Sequence, residues 1–406
     1  MINKKLLPLY LIGLYPAALT VGTLVSEFIT IALSFFFIFE ILKNKQFFFL
    51  KDPIIYFLLV IWIYLIINLL VISVDYNLSF NRSIFFFRHI LIILSISYFF
   101  EKYSFNTDIV FKLWAITIII TIIDLYVQFY FGQNLLGFKS PWKLRLSGFF
   151  DQELKVAHLL IGFFLPTFAY FFQKKGKGLQ VFFFLFLYLV ILILTNERAN
   201  IIRGILSLLL FFLFLPLLKT KIKLFITTTI IFVFCSILVF VKPVKDRFVN
   251  EILFMEVHNS FKNYVILSNY GPHYLSSIEI FKNNKIFGTG IKTFRIKCND
   301  VSLKDYYNFD DGRLNSGCTT HPHQYYFEII SELGLIGFLL FILFFSYLIY
   351  RMITQFFITK NLVILASGSF FITQIIPLLP TGSFFTSFGS TIFFINIGLL
   401  YAYFNK

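Results

Sequence analysis

Long apolar runs separated by short polar breaks set the rhythm of the chain. A helix crosses a hydrocarbon core of roughly 30 Å with about 20 mostly apolar residues, and by that measure about twelve runs qualify. The first, residues 6–42, is too long for one span and contains Pro16, Gly22 and Glu27, so it divides into a hairpin of 6–20 and 25–42. The others lie at 53–73, 84–100, 107–131, 156–173, 179–195, 200–218, 222–241, 325–350, 361–379 and 384–403. The pattern predicts an all-α membrane protein in three parts. Residues 1–241 form a bundle of about nine helices, 242–323 a large polar segment, and 324–406 about three more spans. Lys4 and Lys5 ahead of an apolar stretch resemble a secretory signal, but no small-x-small cleavage site follows. The stretch therefore reads as a retained first span.

Composition narrows the class. Hydrophobic residues make up 58% and charged residues only 14%, where a soluble domain has about 25% charged. A water-soluble enzyme, a disordered chain and a nucleic-acid-binding module are excluded. The net charge of +15 then becomes a question of sidedness. With a cytoplasmic N-terminus, the two ends and alternate short loops carry 15 cations, Lys43, Lys102, Lys174, Lys219 and Lys360 among them. The opposite short loops carry eight: Arg82, Arg88, Lys139, Lys143, Arg145, Lys155, Arg198 and Arg203. That imbalance obeys the positive-inside rule and puts residues 242–323 outside, as one large periplasmic loop. The outer eight carry more information, because topology gives no reason for them and five are Arg.

Cys298 and Cys318 lie 20 residues apart in the outer segment. An oxidising compartment favours a disulfide between them, fixing the chain just before His321. No further ligands at metal spacing accompany them. Cys235, inside a span, reads as a small buried hydrophobe. Asp124, also inside a span, is an intramembrane acid without an assigned role.

After Cys318 the chain reads THPHQYYFEIISELGLIGFLLFI. His321 and His323 stand at the mouth of a span, Glu328 and Glu332 follow at helical i,i+4 spacing, and Gly334 and Gly337 fall on one helix face, where they permit close helix approach. His323–Gln324, nine residues, Gly334, two residues, Gly337 is similar to the signature of the O-antigen ligase and polymerase family of bacterial inner-membrane glycosyltransferases. TNERAN (195–200), RLSGFF (145–150) with Glu153, GTGIKTFR (288–295) and PLLPTGSFF (377–385) also resemble family segments. The resemblance implies a GT-C-like bundle, His323 as the catalytic residue and Arg198 as the essential cation. It also implies a second Arg in the outer loop, where this chain has NYGPHYLSSIEIF; either His273 or Arg295 takes that place.

The chemistry agrees with this reading. A polyprenyl-diphosphate donor holds its lipid in the bilayer and its diphosphate at headgroup level, where guanidinium forks match phosphate bidentately. Arg198 and Arg203 flank an outer span end, with Arg145, Arg88 and Arg82 as further contacts. Transfer to a hydroxyl calls for a base, the natural role of a histidine. His321 supports the site, Arg203 pairs with Glu197, and Glu328 and Glu332 orient His323 or cap its helix. No cofactor and no metal are expected, since arginines can stabilise a departing diphosphate. The expected function is an O-antigen ligase. Its donor is an undecaprenyl-diphosphate-linked glycan and its acceptor a lipid A-core hydroxyl, with membrane lipids as surroundings and no nucleic-acid partner. A polymerase joining lipid-linked repeat units, or transfer of glycan to protein, uses the same chemistry. A lipid-linked oligosaccharide flippase is the reading from another class; it should line both halves with cations at mid-membrane depth, which this chain does not.

Overall fold

A computed structural model describes residues 4–45, 52–142, 145–176, 179–250, 268–303 and 317–404. Much of the segment between the two outer cysteines and several of the loop lysines lie outside these residues. Among the described residues there are helices and turns and no strand. This suits a chain of such apolarity, because a helix satisfies its own backbone where no water can.

The helices are α1 (Leu7–Val21), α2 (Thr23–Asn44), α3 (Pro53–Ile67, continued by a π turn to Ile72), α4 (Tyr76–Ile84) and α5 (Phe87–Lys102). Next come α6 (Asp108–Phe131), α7 (Val156–Lys175), α8 (Leu179–Leu194), α9 (Arg198–Phe214), α10 (Thr220–Phe240) and α11 (Lys242–Lys245). The last are α12 (Gly271–Asn283), α13 (Phe294–Lys297), α14 (Tyr325–Thr359), α15 (Leu362–Gln374) and α16 (Ser387–Phe404). Their ends follow local chemistry. Asp52 and Asp75 accept from Ile54 N and Leu78 N, both at 2.9 Å, and so cap α3 and α4. Left-handed Lys45, Gly132 and Lys360 close α2, α6 and α14.

A helix stands at each place where an apolar run was counted. Among the described residues eight helices are long and apolar enough to cross a membrane, and Leu7–Val21, Phe182–Leu194 and Leu362–Gln374 are shorter apolar helices. Three expectations change. The run at 84–100 starts earlier, as α4 followed by α5, so Arg82 and Arg88 sit on helices. The run at 361–379 ends at Gln374, and residues 375–386 form a turn that Pro377 and Pro380 keep out of helix. Cys235 is exposed rather than buried, because α10 lies on the periphery with 11% of its apolar window covered. The centre belongs to α16, 89% covered, which packs on α5, α7 and α15. Within it, Asn396 donates to the carbonyl of Gly162 on α7 at 3.0 Å. Asp124 is buried and accepts from Leu135 N at 2.9 Å, a structural role that holds the turn after α6.

The two ends of the bundle differ. One is tied by Lys102–Glu40 and Lys174–Asp108, each at 2.6 Å, and by Arg351–Asp52 at 3.6 Å. The other carries the outer arginines, and α12 packs there against the start of α14.

Candidate functional site

At the arginine end the N-termini of α9 and α16, the outer half of α12, the 375–386 turn and the approach to α14 enclose a cavity of about 880 Å³. It is built around His323. That residue has φ +57, a left-handed conformation uncommon for a side-chain-bearing residue. The turn it makes gives its carbonyl to Thr381 N at 2.7 Å and leaves its ring in the cavity wall. Gln324, next in the signature, caps α14 by accepting from Tyr326 N (2.7 Å) and Phe327 N (3.2 Å). The helix therefore starts two residues after the histidine, at Tyr325.

Neither glutamate of the motif hydrogen-bonds His323 or caps the helix, although Glu328 stands in the first turn of α14. Glu328 is buried one turn in and accepts from Ser383 Oγ and from Phe384 N (2.6 Å), with Lys292 Nζ 3.6 Å away; Lys292 also donates to Ser383. Glu332 accepts from Lys292 N (2.8 Å) and Phe294 N (3.2 Å). Each thus fastens a loop to α14: Glu328 the 375–386 turn, Glu332 the GTGIKTFR segment. Gly334 also differs from expectation. It breaks the helix at φ +64, ψ −165. Through the break, Thr289 N and Gly290 N reach the Glu332 carbonyl at 3.0 and 2.8 Å, while Leu335 N and Ile336 N reach the carbonyls of Lys285 and Ile286. A Cβ at Gly334 would stand 2.4 Å from Ile286 O. The signature glycine serves a main-chain splice more than a helix crossing.

Cys298 and Cys318 are joined, with Cα atoms 5.0 Å apart. The bridge holds α13 against residues 317–320, directly ahead of the histidines.

Three histidines cluster. The His323 ring lies 4.2 Å from that of His321 and 5.7 Å from that of His273, centre to centre, with Tyr270 at 5.2 Å. Burial pushes His323 down to about 3, helped by its histidine neighbours and opposed by Glu328. His321 is likewise pushed to about 3, by burial and then by Lys292 and Arg295. Both rings are neutral at physiological pH. Glu197, a buried residue ahead of α9, is raised to about 7 by burial against the hydrogen bonds of Asn200 and Ala157 and the charges of Arg145 and Arg247.

Of the residues singled out in the sequence, His321, His323, Arg82, Arg145, Arg198 and Arg203 line the cavity. Arg203 is anchored rather than paired with Glu197. It donates to Asn200 Oδ1 and the Leu379 carbonyl, each at 3.2 Å, and to the Pro380 carbonyl. Arg198 donates to the Arg247 carbonyl at 3.1 Å, and Arg82 to Ser387 Oγ at 3.0 Å. Three others stand back from the cavity. Arg88 faces Glu27 at 3.5 Å; His273 is buried behind His323, bonded to the Gly317 backbone; Arg295 is on exposed α13, near the Thr320 carbonyl. Sequence reasoning missed Arg247, which lines the wall beside Arg198. Its surroundings in the sequence carry no motif, and only the fold brings it there. Tyr270, Tyr274 and Thr381 lie in stretches the sequence did single out, NYGPHYLSSIEIF and PLLPTGSFF, but nothing there marked these residues themselves. Among the described residues no three His, Cys, Asp or Glu side chains are grouped to hold a metal ion.

A neutral imidazole beside a wall of guanidinium groups, opening at the end of a membrane bundle, is an arrangement suited to an anionic lipid-linked substrate. Residues 183–342 match a family model described as O-antigen ligase. That match spans about two-fifths of the chain and supports the O-antigen ligase/polymerase family. The match runs from α8 into the broken part of α14. It includes Arg198, Arg203, Arg247 and both cavity histidines, but not Arg82, Arg145 or the 375–386 turn. No curated protein matches the chain.

Proposed function

We propose that this chain is a member of the O-antigen ligase/polymerase family and transfers a glycan from undecaprenyl diphosphate to a sugar hydroxyl at the periplasmic face of the inner membrane, the acceptor being a lipid A-core sugar. The observation that carries this reading is that His323, Arg198, Arg203 and Arg247 line one cavity. The acceptor oxygen attacks the anomeric carbon, and His323 takes its proton. The bond from that carbon to the diphosphate breaks, and the diphosphate leaves with the electron pair. Arg198 and Arg247 offer guanidinium groups to the leaving charge, which preorganised donors stabilise most where water is excluded. Arg203, fixed to the Leu379 and Pro380 carbonyls, sets the position of the turn that meets the histidine. Placement of the cavity on the outer side rests on the loop charges and on the segregation of the arginines to one end.

The test is reconstitution with a lipid-linked glycan and two acceptors, lipid A core and a second lipid-linked unit. Transfer only to the core supports a ligase; chain extension supports a polymerase of the same chemistry. His323→Ala should lower kcat by 10²-fold or more, as loss of a general base does. A folded variant with full transfer would remove the catalytic assignment.

A further inference from the structure

Two hydroxyls in the cavity wall have no use in the mechanism above. Tyr274 is 5% and Thr381 6% exposed, both line the cavity, and neither Tyr274 Oη nor Thr381 Oγ1 has a hydrogen-bond partner among the described residues. Buried polar atoms are paired in the great majority of cases, and leaving one unpaired costs about 1–3 kcal/mol. Local packing and main-chain bonding hold both residues at the wall. The Tyr274 ring is stacked on Phe327 at 4.5 Å and 16°, and the Thr381 main chain is tied to the His323 carbonyl. Both adjoin the surroundings of His323: Thr381 bonds its main-chain carbonyl, and the Tyr274 ring stacks on Tyr270, whose ring neighbours that of His323. Beside Thr381 the wall opens: a Cβ at Gly382 would meet nothing within 4 Å.

A sugar is the ligand that answers these features together. It offers several hydroxyls, each donor and acceptor, to complete two orphan hydroxyls. Its C–H face suits an aromatic ring such as Tyr270, and one more hydroxyl is left to face the base. Arg198 and Arg82 lie toward the N-termini of α9 and α16, where the diphosphate belongs, while Arg203 stands beside Tyr274 and, through the Leu379 and Pro380 carbonyls, next to Thr381. We infer that Tyr274 and Thr381 bind the acceptor sugar, hydrogen-bonding hydroxyls next to the one that reacts, with Tyr270 beneath the ring. The inference rests on the transfer reaction proposed above. The shared chemistry is a sugar hydroxyl, whether it comes from a lipid A core or from a lipid-linked repeat unit.

The experiment uses full-length protein in nanodiscs with the lipid-linked donor and two soluble acceptors, a core oligosaccharide and a repeat-unit oligosaccharide. The arm in which wild type transfers names the source. Tyr274→Phe and Thr381→Val each delete one orphan hydroxyl with little change of shape. Each should raise the acceptor KM about tenfold, leave the donor KM unchanged and leave Tm equal or higher, since an unpaired buried hydroxyl is lost. A merely structural hydroxyl would lower Tm and leave the acceptor KM alone, and that outcome overturns the inference. So does a rise in donor KM with acceptor KM fixed. Absence of transfer in wild type is a failure of the proposed reaction, and calorimetric titration with the same oligosaccharides then decides the subsite. Weaker binding by Tyr274→Phe upholds it; equal binding, or none, overturns it.

Discussion

At the scale of single residues the cavity sets protonation against charge. Burial holds His323 near 3, so the free ring is a weak base. A diphosphate arriving beside it brings negative charge that favours the imidazolium, and the ring's affinity for a proton rises once donor is bound. Because kcat/KM reports the free enzyme and kcat the bound one, their acid limbs should separate. The acid limb of kcat should lie at higher pH than that of kcat/KM, which stays flat down to about pH 5. Steady-state rates between pH 4.5 and 8 check this; coincident limbs would count against His323 as the base. His323 was legible in the sequence because its signature is dense and local. Arg247 was not, since it reaches Arg198 only through the chain reversal after α10. Glu328 and Glu332 were visible as a pair, but what they fasten depends on loops 38 or more residues away.

At the scale of elements, α14 is two helices held in one by a splice. Its break puts Gly334 in a region of φ and ψ that is essentially closed to residues with a Cβ, at a cost of about 1–3 kcal/mol for any other residue. The Ile286 carbonyl adds a direct clash. Gly334→Ala should therefore lower the melting temperature and the yield of folded protein, measured by thermal gel-filtration shift in detergent. Loss of transfer should follow the loss of fold. Helical spacing alone suggested a packing face shared with Gly337. What it lacked was the partner, since residues 285–290 belong to a polar segment whose approach no periodicity announces. The turn at 375–386 was legible in part, as the segment PLLPTGSFF (377–385). Its Leu and Phe content extends the apolar runs on both sides, which blurs where the helices stop.

At the scale of the whole molecule, hydropathy placed the helices well, because the bilayer leaves a backbone few alternatives. Loop charge supplied the expected orientation, and it can be checked directly. In a Cys235→Ser background, Asn269→Cys should react with a membrane-impermeant maleimide in intact spheroplasts, and Lys43→Cys only after permeabilisation. Both positions are exposed at opposite ends of the bundle, and the remaining two cysteines are bonded to each other. The reverse pattern would invert the molecule and move the cavity to the cytoplasm.

The anchoring of Arg203 and Glu328 onto residues 379–384 also bears on how the protein comes into being. The arginines of α9 leave the ribosome before the histidines, and the turn to which Arg203 and Glu328 bond follows both. A nascent chain inserted as far as α14 holds its charged and basic groups without the carbonyls and amides that seat them. The cavity is complete only once α15 and α16 have docked. A chain stalled before α15 would carry the signature around His323 intact and still lack the closed cavity.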